Sequence, residues 1–591
     1  MVGELTTSGG IGFAAGQRRK NQPFLAGSGL YKASGVHFDE ALALTKWGGM
    51  TKYNTTQLLE SAVAAQFVGL FDYTKSDQTK QAIAAALGGI YKLNSGVWDL
   101  LKSGLTGTVN DYVDFAVLRN LLLWCNGVDG SLKYDGTTWY NLGITAPASA
   151  PTAALGAAGA LTGAYSYKVT FYNNALAHES NPSVASNSVT ASAQQIGLTG
   201  IPVSADPQVT RRRLYRTSAG GATYRFLAEM ADNTTTTYTD NLADTTLGVE
   251  VESSANGLPP LAAMFLIWRG FLFAVPKNGS RVHFSKQNFP NAFHANDYRD
   301  LDPDDNDIVT GLAYLNGPVA FKNDSIWNGT GMDRYNIEFE KIVSGIGSVN
   351  HHGIVKIPGK PILMLPSEEG FFSYNGISEE YLSKEIESEW RSLNRARLRY
   401  LDGNIYKPKN TAWWLASSGA SGQHDLLIIF DYVQGHWAIR PIPNTKANVL
   451  AIIEDTSNNE SVYLGGYGGF VWQGDTGLSD DGAAISVEII DRAHPKDDPT
   501  PDQLKSFSEI RVYFKPQASV TAAVSYAIDD PDGTYVAAGT VDCSLTSGMD
   551  AVRFDAQGLR LFPRIVNSAT GQPLIIRGIE VAYQPLGREV R

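Results

Sequence analysis

Only two cysteines, Cys125 and Cys543, occur in 591 residues, which excludes a disulfide framework and any cysteine-based structural zinc site. No apolar stretch reaches the roughly 18 residues needed to span a bilayer. The opening segment, MVGELTTSGGIGFAAGQRRKNQ, has no basic region ahead of an apolar core, so neither membrane insertion nor export by a standard signal is expected. Synthesis in a reducing cytoplasm fits this composition. Charged residues reach only 18%, and the excess is acidic, 59 Asp and Glu against 48 Lys and Arg for a formal charge of −11. Such a chain does not grip nucleic-acid phosphates with its whole surface, although a local basic face stays open. Signatures of nucleophilic and nucleotide chemistry are missing too: there is no GxSxG elbow, no GxxxxGK[ST] loop and no GxGxxG between strand and helix.

What is abundant points to strands. Glycine numbers 59 and aromatics make up 10% of the chain, a balance that favours short strands and tight turns over long charged helices, hence an all-β class. The length implies three to four domains. A short apolar strand, a tight Gly-containing turn and a large aromatic recur in GGIYKLNSGVWDLL (Trp98), LKYDGTTWYNLG (Trp139), NDSIWNGTG (Trp327), GFFSYNGIS (Tyr374), IIFDYVQGHWAI (Trp437) and GGYGGFVWQGD (Trp472). Each reads as a hairpin whose aromatic fills the wedge between neighbouring sheets. The steps Trp98 to Trp139, Trp327 to Tyr374 and Trp437 to Trp472 are 41, 47 and 35 residues, close to the roughly 40 to 45 of a four-stranded propeller blade. A plain run of hairpins in a sandwich is the competing reading. The longer step of 63 residues from Tyr374 to Trp437 contains SKEIESEWRSLNRAR, where Ile386, Trp390 and Leu393 share one helical face.

This periodicity predicts an extended N-terminal arm over 1–55, first blades over 56–145, an inserted immunoglobulin- or fibronectin-like sandwich over 146–255, remaining blades over 256–478 with a helix near 383–398, and a C-terminal β-sandwich over 479–591. ITAPASAPTAALGAAGA reads as an Ala-, Pro- and Gly-rich linker into the insertion. Within the insertion Tyr165, Tyr167, Val169 and Phe171 alternate with polar residues, the period of a half-buried strand. Ile485, Val487 and Ile489 show the same period against Ser486 and Glu488 near the C-terminus.

No catalytic, cofactor-binding or metal-ligating residue is assigned, no cofactor is expected, and the chain is not expected to be an enzyme. His351 and His352 are adjacent and cannot share one face of a strand, His283 reads as a half-buried strand residue, and His436 as part of a blade turn. The acidic run Asp297, Asp300, Asp302, Asp304, Asp305 and Asp307 departs from a calcium loop, with Asp305 where that loop needs Gly and Gly311 in place of its last Glu. A solvated turn is preferred there over a bound cation. Sialidase Asp boxes have their nearest counterpart in SLKYDGTTW, where Asp135 stands one residue too close to Gly136. Three basic clusters, Arg18, Arg19 and Lys20, then Arg211, Arg212 and Arg213, then Arg391, Arg395, Arg397 and Arg399, read as solvated faces or contact rims. Alternation places Arg212 opposite Arg211 and Arg213.

The order LLLWCNGVDGSLKYDGTTW, TGAYSYKVTFYN with ESNPS, RVHFSKQNFPNAF, GLAYLNGPVAFKNDSIWNGTG, EEGFFSYNG, LLIIFDYVQGHWA and DDGAAISVEIIDRAHP with KSFSEIRVYF resembles the tail hub or nozzle (DNA-stabilising tail) proteins of short-tailed bacteriophages. The resemblance covers about residues 60–520 and rests on structural motifs. It implies a virion tail component in a ring of six copies below the portal and the head-to-tail adaptor, in contact with tail fibres or spikes, retaining the genome and conducting DNA non-specifically at ejection. A net acidic wall would favour passage of phosphates over sticking. The alternatives are a receptor-binding or glycan-cleaving, sialidase-like tail propeller and a cell-surface adhesion module, the latter weakened by the missing export signal.

Overall fold

The computed structural model describes residues 6–8, 30–38, 43–302, 308–496 and 500–586. The protein is all-β, with a β-propeller-like core, an inserted sandwich and a C-terminal sandwich. It divides into two compact units, residues 1–74, 80–100 and 345–591 in the first and 75–79 and 101–344 in the second.

Among the described residues seven antiparallel four-stranded units follow one another in the sequence, and we number them as blades in chain order. Blades 1 to 6 span residues 67–103, 114–141, 262–300, 311–344, 355–381 and 402–441, and blade 7 spans 447–474 with a fourth strand, Met50–Lys52, supplied from the N-terminal part of the chain. Reversal without splaying comes from left-handed turn residues, as at Arg269 and Gly270, with φ of 50° and 81°, values that match the twist of the flanking strands.

In the first unit, strand Ala447–Glu454 of blade 7 lies between the first strands of blades 1 and 6, to which it is tied by backbone N–H donation to Asp72 and Asp402. Apolar clusters fill the wedges. Phe371 of blade 5 packs on Trp414 and Trp437 of blade 6 and on Trp390, while Trp47, Trp413, Leu464 and Trp472 join blades 6 and 7. In the second unit, Leu123, Phe265 and Leu272 join blades 2 and 3, and Phe273, Leu312 and Trp327 join blades 3 and 4. Burial of aromatic faces between sheets is the main cohesive term here.

The six expected aromatics are all buried, but they are not equivalent. Trp98, Trp139 and Trp437 lie on fourth strands, whereas Trp327, Tyr374 and Trp472 lie on third strands. The 35-residue step from Trp437 to Trp472 therefore joins unlike positions. Blade 3 has its tryptophan, Trp268, on its first strand, and so escaped the pattern.

Several boundaries differ from expectation. The described part of residues 1–55 is not an arm, because Lys32–Ser34, Val36–Phe38, Leu44–Lys46 and Met50–Lys52 all pair within sheets. Three-residue strands are too short to display a period of two. At Gly49 an added Cβ would lie 2.1 Å from the carbonyl oxygen of Ser479, so glycine is required where this segment threads past the chain. The Ala- and Gly-rich stretch read as a linker contributes a 14-residue strand, Thr152–Tyr165, to the inserted sandwich; its pairing with Val189–Thr199, interrupted by register shifts, overrides a weak local propensity. The helix near 383–398 is a 3₁₀ turn Ser383–Ile386, an α-helix Glu387–Ser392 and a second 3₁₀ segment Arg395–Tyr400. Asn394 breaks it by accepting from the backbone N–H of Ala396 at 3.1 Å. Its apolar face is as expected, with Ile386, Trp390 and Leu393 buried. Finally, Ser479–Asp480 and Ala483–Ala484 belong to the sheet of blade 7, and the C-terminal sandwich begins at Val487–Ile490, with Lys32–Ser34 joining its sheet to blade 6.

The inserted sandwich packs the sheet of Thr152–Tyr165, Val189–Thr199 and Tyr238–Asp240 against that of Tyr167–Asn173, His178–Glu179, Arg211–Thr217 and Tyr224–Met230. Cys125 and Cys543 are both buried and unpaired, and burial pushes the Cys543 thiol up to about 12.

Candidate functional site

Several of the polar residues singled out in the sequence are engaged in local structure. Arg211 and Arg213 share Glu229, Arg213 also reaches Glu179 at 2.8 Å, and the fully buried Arg212 turns the other way to Asp232 at 2.9 Å, as strand alternation requires. Arg391 pairs with Glu387 one turn away and Arg395 with Glu368. Arg18, Arg19 and Lys20 lie outside the described residues. In the acidic run, Asp297 accepts from Arg334, Asp300 from Arg281 and Asp302 from Lys341, three separate ion pairs; Asp304, Asp305 and Asp307 lie outside the described residues. Asp135 closes its own turn by accepting from the backbone N–H groups of Thr137 and Thr138. His283 is half-buried against Tyr298, and burial lowers its pKa. The rings of His351 and His352 meet edge-on.

What sequence reasoning missed is a set of aspartates on the first strands of the blades. Asp72 accepts from the backbone N–H of Glu454 at 2.9 Å, Asp402 from that of Leu450 at 2.6 Å, and, in the second unit, Asp114 from that of Phe265 at 2.6 Å. Each clasps one blade to the backbone of its neighbour. The signal was faint: an Asp in an otherwise apolar first strand, as in FVGLFDYT and DFAVL.

In the first unit these strands enclose a polar recess. It measures about 510 Å³ and is lined by Asp72, Lys356, Asn404, Lys407, Glu454 and Glu460 with aliphatic residues between them. Lys80 binds Glu454 at 2.7 Å, and Lys407 pairs with Glu460. Burial, together with the charge of Glu454, holds the Asp72 carboxyl above the ordinary range against the opposing pull of its backbone donor and Lys80. Asp402 beside it is pushed up to about 8 by burial. A second recess of about 350 Å³ lies beside Trp47, Lys409, Asp431 and His436, with Lys409 held on Asp475 at 2.7 Å. Among the described residues no group of three or more His, Cys, Asp or Glu is placed to hold a metal ion, and no helix is long and apolar enough to cross a membrane.

At the root of the insertion, Lys133 of blade 2 is fully buried, donates to the Leu142 carbonyl at 3.1 Å and lies 3.4 Å from Nδ1 of His178. Burial lowers its pKa to about 8. Between about pH 8 and 10.5 the unfolded chain binds this proton and the folded chain does not, so stability rises with pH through that window. At neutral pH the native state carries a penalty on the order of 3 kcal/mol, at about 1.4 kcal/mol per unit. Lys133→Met is therefore expected to raise the denaturant midpoint of the second unit at pH 7, with the advantage shrinking by pH 10. An advantage independent of pH would assign the gain to packing instead.

No family model matches the chain, and no curated protein matches it. Among solved structures, it is similar to the exo-β-1,3-galactanase of Phanerochaete chrysosporium in its galactose complex, at 7% identity and a TM-score of 0.17 over 81% of this chain and 97% of that one. It is similar to the N-terminal domain of Nup159 at 11% identity and a TM-score of 0.21, over 80% of this chain and 96% of that one. A Synechocystis apocarotenoid oxygenase mutant matches at 9% identity and a TM-score of 0.22, over 76% and 90% of the respective chains. Overlaps this loose do not bear on the chemistry of any site.

Proposed function

We propose that the chain is a structural subunit of a short bacteriophage tail, a ring-forming nozzle or hub below the portal and adaptor that retains the packaged genome and conducts DNA during ejection. The observation that supports this reading most is the use made of the first-strand aspartates. Asp72, Asp114 and Asp402 each accept a backbone N–H of the adjoining blade, so each spends a carboxylate oxygen on holding neighbouring sheets together. Blades clasped in this way, together with two further sandwiches, suit an assembly part that must withstand a pressurised genome.

Electron microscopy of the purified protein, alone and mixed with portal and adaptor, tests this. Rings with an axial hole that dock under the adaptor are expected. Monomers that ignore the adaptor and hydrolyse host glycans would overturn the reading in favour of a glycan-cleaving tail propeller.

A further inference from the structure

Blade 6 turns one face to the recess beside Trp47. In its register Thr411, Asp431 and His436 stand opposite one another, as do Trp413, Ile429 and Ala438 two positions along, and residues two apart point to the same side of a sheet. That face therefore sets an aliphatic wall, Ile429 and Ala438, beside the Asp431 carboxylate. Val433, 65% exposed, and Pro408 extend the wall at the rim, and the buried Trp47 closes the floor. The volume, about 350 Å³, lies within the range of small-ligand sites.

The charges of this recess are not evenly matched. Asp431 closes its own turn through Oδ1, which accepts the backbone N–H groups of Val433 at 2.9 Å and Gln434 at 2.8 Å. Among the described residues no donor or cation engages Oδ2 of this half-buried, solvent-accessible carboxylate. Lys409, the one ammonium of the lining, is spent on Asp475 at 2.7 Å and lies over the Trp47 ring. An unpaired negative charge on an accessible side chain thus stands next to apolar wall. That charge repels anions, and a bare divalent cation needs several converging oxygens where one carboxylate is offered. A wholly apolar molecule would strip water from the carboxylate and give it nothing in return. An ammonium group on a hydrocarbon body suits both features, because its N–H groups form charge-assisted bonds to a carboxylate while the hydrocarbon covers the wall.

We propose that this recess binds a small primary amine with an apolar body, its ammonium on Oδ2 of Asp431 and its hydrocarbon part against Ile429, Val433 and Ala438. Binding alone is inferred, with no bond made or broken, and it goes beyond the assembly role without depending on it.

Isothermal titration of the full chain with phenethylamine, tryptamine and n-hexylamine tests the site at about pH 8, where histidine is neutral and an alkylamine is charged. Contrasting probes are 2-phenylethanol, 3-phenylpropionate and ammonium chloride. Saturable binding of at least one amine is expected, with the alcohol and the acid at least about tenfold weaker, the worth of one charge-assisted hydrogen bond, and no saturable binding of ammonium alone. Asp431→Asn, which keeps Oδ1 as acceptor for its turn, is expected to weaken the amine by about the same factor. Val433→Lys, at an exposed position, brings a second cation to the rim and should weaken it as well, which supplies the readout should Asp431→Asn fold poorly. The proposal is overturned if no amine shows saturable binding, if the alcohol or the acid binds as tightly, or if the folded variants bind as the parent does. Nα-acetyl-lysine N-methylamide, a lysine side chain in its peptide setting, is expected to bind more weakly than the amines; equal affinity would transfer the site to a protein lysine and overturn the small-molecule assignment. Rings without amine binding would remove this site and leave the assembly role standing; amine binding by a chain that forms no rings would do the reverse.

Discussion

A chain truncated to begin at Tyr53 is expected to lose the cooperative fold of its first unit. Strand Met50–Lys52 is interior to its sheet, pairing antiparallel with Val471–Gly474 on one side and meeting Asp480 in parallel on the other. Removing it exposes ladder groups of both neighbours and empties the site of Met50, which is fully buried. Trp47 leaves with it, from an edge-on contact with Trp413 at 5.3 Å, as does Lys46, whose ammonium is held by Asn567 at 2.9 Å in the C-terminal sandwich. Strand Lys32–Ser34, which joins that sandwich to blade 6, is lost as well. Trp47→Ala alone should cost about 3–5 kcal/mol, against a total stability of about 5–15 kcal/mol for a typical domain. The truncation therefore exceeds what the unit can absorb. Circular dichroism melting should show no cooperative transition for the first unit in the truncated chain and a lowered one in Trp47→Ala. An unchanged melting temperature in the truncated chain would show that blade 7 closes without this strand.

That dependence on a few N-terminal residues is also what the sequence conceals best. Blades 1, 2 and 4 to 7 were legible because a Gly turn beside a large aromatic is a local signal, set by positive φ and by the need to fill a wedge. The alternation of Tyr165, Tyr167, Val169 and Phe171, all buried, is local in the same sense. Closure of blade 7 is not local: Thr51 pairs with Gln473, and nothing near MTK distinguishes a closing strand from a loop. The polar recess was illegible for the same reason. Asp72, Asn404 and Glu460 come from three blades, and no spacing in one dimension announces that they meet. Strand Thr152–Tyr165 shows the opposite failure, a local composition of Ala and Gly that argues for a linker until a partner 11 residues long is supplied.

Arg216→Met should unfold the inserted sandwich while leaving the blades intact. Arg216 and Asp240 are both fully buried and 2.7 Å apart. Arg216 also donates to the Leu242 carbonyl at 2.8 Å and pairs with Asp244 at 2.7 Å, and Tyr167 donates its hydroxyl to Asp240 at 2.8 Å. Taking out the guanidinium leaves the Asp240 carboxylate in a dry interior with two neutral donors, the Tyr167 hydroxyl and the Leu242 backbone N–H, a loss of about 3–5 kcal/mol. The inserted sandwich has its own apolar cluster of Tyr167, Val169, Ile196 and Leu214, small enough that a loss of this size dominates its stability. Limited proteolysis should cut Arg216→Met within residues 152–240 at temperatures where the parent resists, and the blades should stay protected. A well-packed apolar replacement of both partners is often neutral where the loss of one is not, so Arg216→Met combined with Asp240→Leu should recover much of the protection. Equal sensitivity of the single and double variants would mean that the guanidinium acts through Asp244 and Leu242 rather than by compensating Asp240. Under the assembly reading the insertion lies at the periphery, so Arg216→Met should still form rings at low temperature; loss of rings would place the insertion within the contact between subunits.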